Sequence, residues 1–263
     1  MEQMKHYGPT VKPDGNKANR SRLKAMGLSS LPERKIDTVS VEKFPAPWHL
    51  TGNGYIFAYK FSKKRSNEGF FSVDFLEDKQ FSGFGTVMLV DYHKSTAGPY
   101  RELLFIPGHF NYKGKKLYSI TKIYVSSMES AVNGRENWGI PKELADFTIE
   151  PIGWRKERII VKKDEELVMD VTLRKFGFPY FVTTKLFPLP LIQKINNKLY
   201  FTKFSGRGRS WLTSAKSMKV NSKYFPDISK DRPLFIKRVD NFEIEFPIPT
   251  TITVQNSSSA EKI

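Results

Sequence analysis

From Pro45 onward the chain is a succession of short runs rich in aromatic and β-branched residues. They read "YIFAYKF", "GTVMLVDY", "RELLFIPG", "SITKIYVSS", "FTIEPIGW", "RIIVKK", "LVMDVTLRKF", "YFVTTKLF", "KLYFTKF" and "FEIEFPI". Gly, Pro, Asn or charged residues separate them. Runs this short, with period-two alternation and little helical period, specify antiparallel strands. "ERIIVKKDEELVMDVTLRKF" reads as a hairpin turning at Lys163, Asp164 and Glu165. Helix is scarce: the best candidates lie after Pro141, where proline suits a first helical position, and near "PLPLIQKINN", with a turn of helix also open in "MGLSSLPERK". The expected fold is mainly β, an antiparallel barrel or sandwich with few short helices.

The chain has 263 residues, 21 of them Phe, enough to bury a sizeable core. Residues 1–43, rich in Lys, Asn, Ser, Gly and Pro, read as an N-terminal arm. Residues 44–254 read as a single β domain and 255–263 as a frayed tail. The N-terminus shows no signal-peptide core, and the most apolar run, "YFVTTKLFPLPLI", is broken by Lys185, Pro188 and Pro190. It is also shorter than the ~20 residues a membrane helix needs. A protein without membrane insertion, in the cytoplasm, is expected.

There is no cysteine, which excludes thiolate catalysis, disulfides and Cys-ligated metal. His6, His49, His93 and His109 are scattered and form no metal-binding pair. "TGNGY" and "SGRGRS" contain GxG, but neither completes a dinucleotide or phosphate loop, so both are read as turns. No GxSxG nucleophile elbow occurs. Net charge is +16, and residues 194–238 hold 12 Lys and Arg against two Asp. No nucleic-acid motif accompanies this segment, so it is read as a solvated basic face rather than a nucleic-acid site.

One cluster stands apart. "NGRENWGIPKELADF" packs Arg135, Glu136, Trp138, Pro141, Lys142 and Glu143 together. A lysine is a nucleophile only as the free amine. With an ordinary pKa of ~10.4, about one lysine in several thousand is free at pH 7. Burial disfavours the ammonium form, and an amine so freed condenses with a ketone to a Schiff base. Trp138 and Ile140 are available as apolar walls. The alternative is an ordinary surface lysine in the first turn of a short helix.

The stretch "GRENWGIPKELA" resembles the signature of the acetoacetate decarboxylase family. Gly134, Arg135 and Glu136 are followed by four residues, then Pro141 and the position of the Schiff-base lysine, Lys142. "GPYRELLFIPG" is similar to the family's stretch around an active-site glutamate and points to Glu102, 40 residues before the lysine. "PAPWHLTGNGY" is similar to its first strand. The resemblance implies a Schiff-base lyase that decarboxylates a β-keto acid without metal or organic cofactor. Lys142 would be the nucleophile and Glu102 the acid/base or positioning group. Arg135, Glu136, Trp138 and Glu143 would bind substrate or support the site. It also implies a homo-oligomer.

Two family positions differ. The second lysine is Glu143 here, and an arginine of the first strand is near Asn53. Two other readings stay open: an aldolase or dehydratase acting on α-keto acids on the same fold, and a non-catalytic barrel that binds a small molecule.

Overall fold

The computed structural model describes residues 41–66, 73–76, 79–186 and 188–254. The chain divides into two compact units, 1–40 and Val41–Ile263. The first unit and the tail from 255 lie outside the described residues, and so do most of the expected N-terminal arm and all of the expected frayed tail. The second unit is mainly β, as the strand runs indicate.

In chain order the strands are β1 (Trp48–Tyr59), β2 (Gly85–Lys94), β3 (Tyr100–Ile106), β4 (His109–Tyr112), β5 (Lys115–Tyr118) and β6 (Lys122–Val125). There follow β7 (Glu143–Leu144), β8 (Asp146–Pro151), β9 (Lys156–Lys163), β10 (Glu166–Thr183) and β11 (Leu191–Ile195). The last are β12 (Lys198–Thr202), β13 (Ser205–Val220), β14 (Phe235–Phe246) and β15 (Thr250–Thr253). Among the described residues there are two α-helices, α1 (Lys63–Ser66) and α2 (Met128–Trp138), and two short 3-10 turns, Asp74–Leu76 and Ile228–Lys230.

Ten strands form one sheet in the order β7-β6-β3-β2-β1-β14-β13-β10-β9-β8. Its edge strands, β7 and β8, are separated in the chain by Ala145 alone, whose N–H bonds the Val125 carbonyl. The sheet is therefore curled almost into a barrel. One concave cluster joins Phe57, Leu89, Leu103 and Phe105 from β1–β3 to Val161, Val171 and Leu173 from β9 and β10. The smaller sheet runs β15-β12-β11-β5-β4.

Strand β3 is buried on both faces. Leu103 and Phe105 enter that concave cluster, while Tyr100, Leu104 and Ile106 enter a second one with Trp48, Leu50, Tyr92, Ala131 and Trp138. Side chains two apart share a face, so Glu102 falls on the second side, between Tyr100 and Leu104. Helix α2 packs there.

The hairpin expected at 163–165 forms, with Asp164 and Glu165 both at positive φ between Lys163 and its partner Glu166. This is the two-residue turn whose twist suits paired strands. Other local expectations are overturned. No helix follows Pro141, because α2 precedes it and stops at Gly139, which lies in the left-handed region at φ 67°. "PLPLIQKINN" carries β11, paired with β12 around Asn196 and Asn197. Pro190 confines the residue before it to extended backbone, which defeats a helix start. The two glycine pairs are not turns. "TGNGY" lies inside β1, whose pairing with β14 has a bulge between Gly52 and Gly54, and "SGRGRS" opens the 16-residue β13. A Cβ on Gly52 would come 2.1 Å from the Asp91 carbonyl oxygen, so glycine there permits close strand approach.

Candidate active site

Helix α2 starts at Ser127, whose side chain accepts from the Ser130 N–H, a common N-cap contact. It ends where the Gly139 N–H reaches the Arg135 carbonyl and Ile140 N–H the Gly134 carbonyl. The chain then reverses tightly, with Lys142 N–H on the Ile140 carbonyl at 2.8 Å. The Arg135 guanidinium donates to the Lys142 carbonyl oxygen, fixing the lysine backbone against the helix. Ahead of β1, the Phe44 N–H donates to Asn133 Oδ1, and the Phe44 carbonyl accepts from Asn137 and from the Trp48 indole. These bonds tie the start of β1 to α2.

The Lys142 side chain runs inward along α2. Its Nζ lies 3.1 Å from Glu102 Oε2, 2.9 Å from Ser130 Oγ and 3.5 Å from the Tyr100 hydroxyl. The amine also sits over the Tyr100 and Trp48 rings, at 4.9 and 5.9 Å. Among the described residues, Lys142 and Glu102 are the only buried charged side chains, each 4% exposed. Glu102 takes a further hydrogen bond from Tyr92 at 3.3 Å, and the Tyr92 and Tyr100 rings pack at 4.6 Å. Burial, with the Glu102 carboxylate adding to it, pushes both phenols well above their ordinary pKa. Both therefore remain neutral hydroxyls.

The structure thus brings Lys142 and Glu102 into contact and places Arg135 on the lysine backbone. Trp138 is buried beneath Trp48, edge to face at 5.1 Å, with its indole N–H on the Pro247 carbonyl. Glu136 and Glu143 point elsewhere. Glu136 pairs with Lys43 at the surface. Glu143 opens β7, where alternation turns it away from Lys142 toward Lys122, at 2.6 Å, and Lys163. Burial tends to raise the Glu143 pKa, but the hydrogen bonds from the two lysines outweigh it and hold it below the ordinary value. Asn53 donates toward His93 and accepts from the Asn241 N–H, away from the pair.

Sequence reading missed Tyr100, Tyr92, Ser130 and Trp48. The alternation that puts Tyr100 on the face of Glu102 was readable in "YRE". Ser130 and Gly134, four apart, share a helix face only once α2 is known. A cleft of about 450 Å³ lies at the ends of β1, β10, β13 and β14 and is lined by residues such as Leu50, Thr183, Arg207 and Ile244. None of the lysine's contacts lines it, so the buried pair and not the cleft defines the site. Among the described residues no group of three or more His, Asp and Glu is placed to hold a metal.

Fold and site together define a nearly closed β barrel holding a lysine–glutamate pair within an aromatic shell. The family model for acetoacetate decarboxylase matches residues 74–179, a span containing Tyr100, Glu102, Ser130, Gly134 and Lys142. Over these residues the chain is similar to the acetoacetate decarboxylase family, and the span includes the "GRENWGIPKELA" motif. Acetoacetate decarboxylase from Legionella pneumophila subsp. pneumophila str. Philadelphia 1 has the same fold. It is 15% identical over 80% of this chain and 88% of its own, with a TM-score of 0.63. The enduracididine biosynthesis enzyme MppR complexed with pyruvate is 12% identical over 88% of this chain and 98% of its own, TM-score 0.58. An acetoacetate decarboxylase-like enzyme from Sphingomonas wittichii RW1 is 10% identical over 82% and 96%, TM-score 0.58. None of the curated proteins matches by sequence. At these identities the structural likeness establishes the fold alone.

Proposed function

We propose that the protein is a Schiff-base-forming lyase that decarboxylates a β-keto acid through Lys142. The observation that carries this reading is the buried contact of 3.1 Å between Lys142 Nζ and Glu102 Oε2. A base in contact with the amine can take the proton that must leave before Nζ attacks. The free amine adds to the ketone carbon, and loss of water, with Glu102 returning the proton, leaves a protonated imine. The bond to the carboxylate then breaks. Its electron pair enters the imine, giving an enamine and CO2. Protonation at carbon and hydrolysis release the ketone and restore the amine.

Arg135 is engaged with the Lys142 backbone, and no further buried cation is found among the described residues. A substrate carboxylate near Glu102 would therefore meet like charge, which favours its departure as neutral CO2. Glu143 is turned away from Lys142 and paired with Lys122 and Lys163. A homo-oligomer in the cytoplasm belongs to this reading, drawn from the family resemblance and from the lack of cysteine.

The second reading keeps the imine and changes the fate of the enamine, which would attack an aldehyde in aldol or dehydration chemistry on α-keto acids. It is supported by the likeness to MppR, whose structures hold pyruvate and its condensation product with imidazole 4-carboxaldehyde. In the third reading the barrel binds a small molecule without chemistry.

Borohydride trapping tests all three. The protein is incubated separately with acetoacetate and pyruvate, reduced, and mapped by peptide mass spectrometry. An adduct on Lys142 that is lost in Lys142→Ala supports the imine. CO2 release with acetoacetate selects decarboxylation, and turnover of pyruvate with an aldehyde selects the aldol route. Reversible binding with no adduct selects the third reading.

A further inference from the structure

Strand β10 leaves its ladder midway. Phe176 pairs with Leu212 and Tyr180 with Ser210, so three residues of β10 face one of β13. Gly177, at φ 74°, and Pro179, which has no N–H to give, make this departure possible. The bulge projects Phe178, 90% exposed, and Phe181 just beyond it is 86% exposed. Trp154, 74% exposed, stands beside them, because the neighbouring Arg155 donates to the Gly177 carbonyl. Single exposed apolar residues are ordinary, but large aromatic rings gathered on a projecting bulge mark a contact surface.

The surroundings are cationic. Arg209 lies opposite Phe181 across the ladder. Arg155 sits between the Trp154 and Trp211 rings, at 4.2 and 4.9 Å. Lys237 lies over the Tyr180 ring at 5.4 Å. Among the described residues, none of these three cations has a carboxylate partner. Two of them belong to the basic 194–238 segment, for which the proposed lyase chemistry has no use.

We infer that this bulge docks the protein on an anionic lipid surface. The aromatic rings enter the headgroup boundary, and Arg155, Arg209 and Lys237 meet lipid phosphates and carboxylates. A protruding tip suits a fluid surface that closes around it. A nucleic-acid strand would want a groove in which bases stack in series. The inference is independent of the imine chemistry.

The test is co-sedimentation of the full-length chain with vesicles of phosphatidylcholine alone or mixed with phosphatidylserine. Binding is expected to the mixed vesicles, to fall as salt rises, and to be accompanied by a blue shift of tryptophan emission. Phe178→Ser with Phe181→Ser, and separately Arg209→Glu, should each weaken partitioning at least about tenfold. Both rings and the guanidinium are exposed, so the thermal midpoint should not move. Failure to bind mixed vesicles, or equal binding to neutral ones, overturns the inference. So does salt-sensitive binding to a single-stranded oligonucleotide in place of vesicles. A drop in mass on sedimentation of the double Phe variant would assign the bulge to a second copy of the chain and overturn it as well.

Discussion

Gly134 and Lys142 are shaped to each other. A Cβ on Gly134 would lie 2.7 Å from Lys142 Cδ and 2.8 Å from Cε, closer than packed carbon atoms come. The glycine in the middle of α2 costs helix propensity of about 1 kcal/mol relative to alanine. What it gives in return is a channel for the lysine stem.

Gly134→Ala therefore sets two effects against each other. Alanine regains about 1 kcal/mol of propensity, while the lysine stem must shift. Stability is expected to stay within about 1 kcal/mol of the parent. Imine trapping on Lys142 should fall by about a hundredfold, because Nζ leaves Glu102 and Ser130. Trapping at the parent rate would show that the glycine does not set the amine's position.

Removing charge from the pair should be costly on one side alone. Glu102→Gln leaves a buried ammonium without its partner, a loss of about 3–5 kcal/mol in urea unfolding at neutral pH. Glu102→Leu combined with Lys142→Met removes both charges and should cost less. If the double variant loses as much as the single one, packing rather than charge explains the effect.

Ser130→Ala deletes the 2.9 Å contact to Nζ inside the protein. The stability loss is expected at about 1.5–3 kcal/mol, as for a buried hydrogen bond to a charged group. Trapping should slow by about tenfold while Lys142 remains the labelled residue. Unchanged trapping would limit Ser130 to the fold.

Glu143→Gln examines the one family position where the motif departs most. Its side chain is 34% exposed and paired with Lys122 and Lys163, so the expected loss is at most about 1 kcal/mol. Trapping on Lys142 should not change. The folded-state pKa of Glu143 is depressed from the ordinary 4.5, so its contribution is fully present above pH 4.5. That contribution disappears as pH falls through the lower folded-state value. The difference between parent and variant in a pH series of unfolding midpoints should close in acid. A constant difference down to the lowest pH would mean that the ion pairs are not its source.

Glu165→Gly addresses the 163–166 hairpin. Glu165 sits at φ 64° and pairs only loosely, at 3.8 Å, with Lys162. Glycine adopts this backbone freely, and a gain of about 0.5–1 kcal/mol is expected in thermal unfolding. A loss would mean that the Lys162 pair outweighs the backbone term.

The strand runs were legible because β1, β2, β3, β9 and β10 bury one or both faces and so carry aromatic and β-branched residues. Strand β13 was not. Its sequence "SGRGRSWLTSAKSMKV" shows neither a clean alternation nor a continuous apolar run, and its glycines read as breaks. They serve instead to let strands close up: a Cβ on Gly208 would meet Val239 Cγ1 at 2.5 Å. Helix α2 was missed although both its signals, Ser127 and Gly139, were present. Its buried face presents Ser130, Asn133 and Gly134 among its few apolar residues, so no hydrophobic stripe announced it. Lys142 and Glu102 were singled out by motif likeness. Nothing local revealed that Tyr100 and Ser130 would close around them, since these come from a strand and a helix that meet only in the folded chain.

Ser130 and Gly134 stand one turn apart on α2, about 6 Å along its axis. Gly134 faces the lysine's Cδ and Cε, and Ser130 faces its Nζ. The helix therefore acts as a gauge for side-chain length. A shorter amine would stop short of Glu102, and arginine's broad fork would jam against the serine. Of the standard side chains only lysine has the length and the narrow unbranched stem that this gauge passes.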